Sequence, residues 1–122
     1  MTINGRFVLR LDRLRSKVGE SATKKAERVT QQIIDGVIRR SPVLTGSYRA
    51  SWNVSEGYPE FKDIENRNEA NPLGPPTFNV KAKAHFPKFF VTNGRGYALI
   101  IENGTYKSAP YGVARVTIAS LK

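Results

Sequence analysis

Between Phe7 and Val37 the apolar residues Phe7, Leu11, Leu14, Val18, Ala22, Ala26, Val29, Ile33 and Val37 recur at steps of three or four. That is the stripe by which an amphipathic helix lies against a core, and it predicts one long helix over residues 1–40. At about 1.5 Å per residue, roughly 33 residues would reach about 50 Å. A chain of 122 residues does not need that length to cover one core, so part of the helix is expected to pack on a neighbour. Gly19, with Ser21 and Thr23 close by, is a weak helix former and can bend or divide the element. Pro42 closes it, because the residue before a proline is pushed out of the α region.

A chain this short is expected to be a single domain over residues 1–122. Residues 41–55 read as a turn, Ser41 to Gly46, followed by a strand. There Tyr48, Ala50, Trp52 and Val54 alternate with Arg49, Ser51 and Asn53, the period of a half-buried strand. Residues 56–79 change character, with mixed charges, then Asn66, Asn68 and Asn71, then Pro72-Leu73-Gly74-Pro75-Pro76. This is a long Pro/Asn-rich loop or arm. Residues 80–122 supply a sheet hairpin and a C-terminal element. Val80, Ala82 and Ala84 alternate with Lys81, Lys83 and His85, which predicts a strand with a basic outer face. Phe89 to Thr92 and Tyr97 to Glu102 flank Asn93-Gly94-Arg95-Gly96, a turn rich in residues that tolerate positive φ, and are expected to form the hairpin. Over 110–120, Pro110 suits a first helical position, whereas Val113, Val116, Thr117 and Ile118 suit a strand. A strand or extended tail beginning with a short turn is expected there.

Charge narrows the partners. Twenty Lys and Arg against ten Asp and Glu give a formal charge of +10, which attracts any polyanion. The distribution is uneven: residues 1–40 hold ten basic and four acidic side chains, residues 56–69 two and five, and residues 70–122 seven and one. Blocks of opposite sign suit subunits that meet through complementary surfaces at least as well as a uniform nucleic-acid patch. Without cysteine there is no disulfide framework, thiolate nucleophile or zinc finger. No secretion signal or membrane-spanning run is visible, so no membrane association is expected.

Catalytic chemistry finds little to use. His85, beside Phe86 and Pro87, is the sole imidazole, and a lone histidine in that setting reads as a packing or surface residue. Glu56, Glu60, Asp63, Glu65 and Glu69 lack calcium-loop spacing and read as a solvated acidic face. Ser41, Ser47 and Ser51 lack a nucleophile elbow, and the glycines at 94 and 96 match neither a phosphate loop nor a dinucleotide fingerprint. No enzyme, cofactor or metal site is expected. Lys24, Lys25 and Arg28 on the helix, with Phe86, Phe89 and Phe90 among lysines, keep open a small basic DNA-binding protein.

The stretch Ser41-Pro42-Val43-Leu44-Thr45-Gly46-Ser47-Tyr48-Arg49-Ala50-Ser51-Trp52, after a basic helix, resembles the S/T-P-V-x-T-G-x-L-R-x-S-W stretch of tailed-bacteriophage neck proteins. These are variously called tail completion, tail terminator or minor head-tail joining proteins. A second block, Tyr97 to Thr105, looks like that family's Y-A-x-x-x-E-x-G-T. Ala109-Pro110-Tyr111-Gly112 follows where members begin their final element with A-P-x-G or H-P-F. Leu44 and Tyr48 stand where Asp and Leu are frequent in the family. With the helix, the two blocks cover about half of the chain.

The resemblance implies an α+β subunit, with a long N-terminal helix packed on a small, mainly antiparallel sheet, and no catalysis. It implies a homo-oligomeric ring in the virion neck, assembled in the host cytoplasm, hexameric by family expectation and dodecameric if it sits on the portal side. The ring would complete or cap the tail, with a connector or head-completion protein on one side and the tail tube on the other. DNA would pass through its lumen without sequence-specific binding. Pro42, Thr45 and Gly46 are expected to set the turn from helix to sheet, with Thr45 bonding local backbone and Gly46 taking a conformation other residues resist. Trp52 is expected to anchor helix to sheet. Arg49, Glu102, Asn103, Lys81 and Lys83 are the interface candidates, with Glu102 pairing with Arg49 or with a base of a neighbouring subunit, and Asn103-Gly104-Thr105 forming a tight exposed turn.

Overall fold

Phe7, Leu9 and Leu11 also satisfy a period of two, and tertiary context selects that reading over the helical one. In the computed structural model, which describes residues 2–3, 5–11, 21–43, 45–84, 87–103 and 112–121, β1 (Thr2–Ile3) and β2 (Arg6–Leu11) replace the start of the expected helix. The helix proper, α1 (Ala22–Arg40), has 19 residues. Ser21 caps its start, its hydroxyl accepting the Lys24 N–H at 3.1 Å; Leu14, Val18 and Gly19, the middle of the expected stripe and its weak point, lie outside the described residues. Because Arg6–Leu11 is a strand, the expected single helix from Phe7 to Val37 is not formed.

Next come α2 (Ser47–Ala50), a single helical turn, and β3 (Trp52–Glu56). The strand expected from Tyr48 thus begins only at Trp52. After the loop come β4 (Phe89–Asn93), α3 (Ala98–Asn103) and α4 (Ala114–Ala119). All strands pair antiparallel in the order β1-β2-β4-β3, giving an α+β fold.

Occupancy of β4 explains the largest departure from the sequence reading. β4 is flanked on one side by β2, with Leu9 opposite Val91, and on the other by β3, with Val54 opposite Val91. Both of its hydrogen-bonding edges are filled, so residues 97–102 cannot pair with β4 as the far arm of a hairpin and form α3 instead. In the C-terminal element the β-branched Val116 and Ile118 lie on the exposed side of a helix, not in a strand or extended tail.

One sheet face, carrying Leu11, Trp52, Phe89 and Val91, shares a core with Val29, Ile33, Ile34 and Val37 of α1. α4 crosses α1 at Gly36, where a Cβ would approach Thr117 Cγ2 to 2.5 Å. Arg40 reinforces the crossing through bonds to the hydroxyls of Thr117 (3.4 Å) and Ser120 (3.1 Å). The other sheet face is covered by the 57–66 stretch. Thr92 and Asn53 both donate to the Glu60 carbonyl, at 2.6 and 3.2 Å, and Arg6 lies 4.0 Å above the Phe61 ring. This part of the loop is a third layer, not a free arm.

Residues 78–84 have the alternation of a strand but no strand partner. Phe78, Val80 and Ala82 turn toward the core, and the backbone bonds to side chains of α1. Gln31 donates to the Phe78 carbonyl at 2.9 Å and accepts the Val80 N–H at 2.8 Å, and Glu27 accepts the Ala82 N–H at 2.7 Å. Two polar residues one helical turn apart thus stand in for a neighbouring strand. Among the described residues no helix is long and apolar enough to cross a membrane.

Candidate functional site

The two blocks Ser41 to Trp52 and Tyr97 to Asn103 prove to be junctions between elements. At the first, Pro42 ends α1 and leaves the Ser41 hydroxyl to donate to the Val37 carbonyl while accepting the Trp52 indole N–H at 2.8 Å. Trp52 has no exposed surface. Phe7 and Tyr48 meet its ring edge-on, with centroids 5.8 and 5.6 Å away, so the indole joins helix, strand and α2, and its polar edge is satisfied.

The turn before α2 is a backbone crossing. Thr45 Oγ1 accepts the Ser47 N–H at 3.3 Å, and Gly46 has φ +83° with its Cα side pressed on Leu73. The Leu73 N–H donates to the Thr45 carbonyl at 2.8 Å, and Arg49 donates to the Leu73 carbonyl at 2.7 Å. The 72–76 Pro-rich stretch is thereby tied to the motif that precedes it. Leu44 lies outside the described residues.

Ser47 and Ser51, one helical turn apart, were not singled out by sequence for the role they have. Ser47 Oγ accepts the Asn66 N–H at 2.7 Å, and Ser51 Oγ accepts the Ile64 N–H at 2.9 Å. The two hydroxyls hold the loop as a strand edge would. The visible signal is serine at i and i+4, Ser47 and Ser51.

The second junction is built on Glu102, which is 7 % exposed. Its carboxylate accepts the N–H groups of Val113 (3.0 Å), Ala114 (2.9 Å) and Arg115 (2.9 Å). Those are orphan donors at the start of α4, which a carboxylate satisfies well. Arg115 returns a bond from its guanidinium to the Glu102 carbonyl at 2.9 Å. Gly112, at φ +84°, lets the chain pass: a Cβ there would stand 2.7 Å from the Glu102 carbonyl oxygen. The expected pairing of Glu102 with Arg49 is not made, because backbone amides take the carboxylate and Leu73 takes the guanidinium. Asn103 closes α3, and Gly104 and Thr105, expected in a tight turn, lie outside the described residues, as does His85.

Glu102→Gln is expected to destabilise the protein by about 2–3 kcal/mol, since one of the two acceptor oxygens becomes an amide NH2 donor facing N–H groups. Urea unfolding reads the loss, and amide shifts should move most at Val113, Ala114 and Arg115. An unchanged midpoint would show that the carboxylate charge is not what holds α4.

Tyr48 is 5 % exposed. Burial pushes its hydroxyl well above the ordinary tyrosine range, and the charges of Glu102 and Tyr97 add to the shift. The folded state keeps this proton after the unfolded chain releases it near pH 10. The associated stability is therefore complete below about pH 10 and falls above it by about 1.4 kcal/mol per pH unit. Tyr48→Phe is expected to flatten the pH dependence of unfolding by one proton above pH 10, whatever it does to the midpoint at neutral pH.

The balance of charge differs by layer, although Arg67 is also exposed on the loop and Asp35 on α1. Glu60, Asp63, Glu65 and Glu69 are exposed on the loop that covers one sheet face, while α1, on the opposite face, exposes Lys24 and Arg39. Lys81 and Lys83 point to solvent from the extended segment. Asp63 pairs with Arg95 at 2.7 Å, and Glu65 with Arg67 at 2.8 Å. Among the described residues no group of three or more His, Asp or Glu side chains is placed to hold a metal ion. No family model, curated protein or solved structure matches this chain.

Proposed function

We propose that the chain is the structural subunit of a ring in a bacteriophage neck, completing or capping the tail and offering the head connector a surface to dock on. The observation that supports this most is the separation of charge across the molecule. An acidic loop forms one outer layer and a helix carrying basic side chains the other. Opposite signs on opposite sides favour a head-to-tail contact between copies, which closes into a ring when the rotation between subunits divides a full turn. The two motif junctions support it further, since residues shared with neck proteins build the subunit and leave its outer layers for partners. Hexamers are the expected assembly, and dodecamers fit a portal-side position.

Light scattering at low and moderate salt, with electron micrographs of the same sample, tests the proposal. Rings whose mass corresponds to six or twelve subunits, weakened by salt because exposed ion pairs are screened, are the expected result. A monomer at all concentrations that binds duplex DNA, with affinity falling steeply with salt, would replace the ring with the small basic DNA-binding protein.

A further inference from the structure

β3 is an outer strand of the sheet, and its free edge faces a cleft of about 600 Å³ whose far wall is the extended segment 79–84. Parity shows which groups point into it. Gly57 donates to the Lys88 carbonyl at 2.8 Å, so in this antiparallel ladder the odd-numbered residues of β3 bond to β4, and the backbone groups of Val54 and Glu56 point outward. Across the cleft, the even-numbered amides of the extended segment at Val80 and Ala82 are taken by α1 side chains, which leaves those of Asn79 and Lys81 directed away from α1. Two stretches of extended chain thus face each other across a space with no strand between them.

Charges around the cleft are unequally satisfied. The Glu56 carboxylate accepts the Lys83 and Ala84 N–H groups, both at 2.8 Å, closing one end. Glu60 is exposed, and its carboxylate near Tyr58 holds that hydroxyl's pKa above the ordinary value. Lys81 and Lys83 are also exposed and form no salt bridge among the described residues. The Glu56 carboxylate is thus taken up by backbone amides, whereas neither lysine has an ion-pair partner among the described residues. Alternate residues of an extended segment are about 6.6–6.8 Å apart, the spacing of same-face side chains on any strand laid beside it.

We infer that this cleft accepts an extended, acidic segment of a partner protein, which adds as a strand to the free edge of β3 and places alternate carboxylates against Lys81 and Lys83. Main-chain bonds to Val54 supply affinity independent of sequence, and the lysine pair selects acidic residues two apart. Exposed strand edges are protected in many folds because they recruit other chains. Here the lysines narrow which chains are recruited. The inference stands apart from ring closure, since a monomer would carry the same cleft.

The test uses a labelled short peptide alternating glutamate and valine, a twin with lysine for glutamate, and a third copy N-methylated on alternate amides. Saturable fluorescence anisotropy is expected with the first peptide alone, with amide shifts at Val54, Glu56, Asn79 and Lys81. Lys81→Glu combined with Lys83→Glu, two exposed positions that should leave folding intact, is expected to weaken binding by about tenfold or more. Equal binding of the lysine twin, or no effect of N-methylation, would overturn strand addition of an acidic segment. So would duplex DNA displacing the peptide by moving the same amides. If those amides shift with protein concentration in the absence of peptide, the occupant is a second copy and the acidic-partner assignment fails.

Discussion

Trp52→Ala is expected to remove about 3–5 kcal/mol of stability, the usual consequence of emptying a fully buried indole site. Trp52 is completely enclosed and touches Phe7 and Tyr48 edge-on, so the void lies where α1, α2 and two strands meet and none can collapse into it alone. Domains of this size commonly have about 5–15 kcal/mol in hand, so the variant is expected to unfold at a much lower denaturant midpoint. Trp52→Phe separates the contributions. It keeps most of the volume but removes the donor to Ser41 Oγ, a further loss of about 1 kcal/mol for the bond itself. A Trp52→Ala loss under about 1 kcal/mol would mean that the indole is not what joins helix to sheet.

Gly46→Val is expected to be about as damaging, at roughly 3–5 kcal/mol, from two additive causes. Left-handed backbone costs a β-branched residue about 1–3 kcal/mol, and crowding a packed site costs a similar amount. The new Cβ would stand 2.5 Å from the Leu73 carbonyl oxygen and 2.6 Å from its nitrogen, and backbone cannot yield as a side chain tip does. Gly57 provides the control, because it has φ +93° with nothing within 4 Å of a Cβ. Gly57→Ala should therefore report strain alone, about 1 kcal/mol, and Gly46→Ala should exceed it by the cost of the crossing. Equal losses at the two glycines, measured by urea titration, would remove the crossing from the account.

Much of the local structure is legible in the residues, although several elements are not. The helical stripe is sound from Ala26 to Val37 and ends at Pro42 as its chemistry requires, yet it misleads at Phe7 and Leu11, which lie in β2. Phe7 and Leu11 fit both periods, and a window that short cannot tell them apart, although Leu9 between them fits the strand alone. The alternation of residues 80–84 also describes an extended segment correctly, but periodicity cannot say that its hydrogen bonds go to Gln31 and Glu27 instead of another strand. Ser47 and Ser51 show the same limit: hydroxyls four apart are visible, and the loop amides that need them are not.

By itself the sequence determined where the apolar faces lie, where the chain must turn, that helix and strand both occur, and how charge is divided into blocks, because these follow from side-chain chemistry and spacing of near neighbours. Only the tertiary structure decided that β2 from the N-terminus fills the edge of β4 which the 97–102 stretch would have used, turning that stretch into α3. It alone joined Glu102 to the start of α4 and laid the acidic loop across the sheet. Each of those outcomes is a competition for one hydrogen-bonding edge or one set of orphan amides, settled between residues far apart in the chain, and a local pattern holds no information about which competitor arrives.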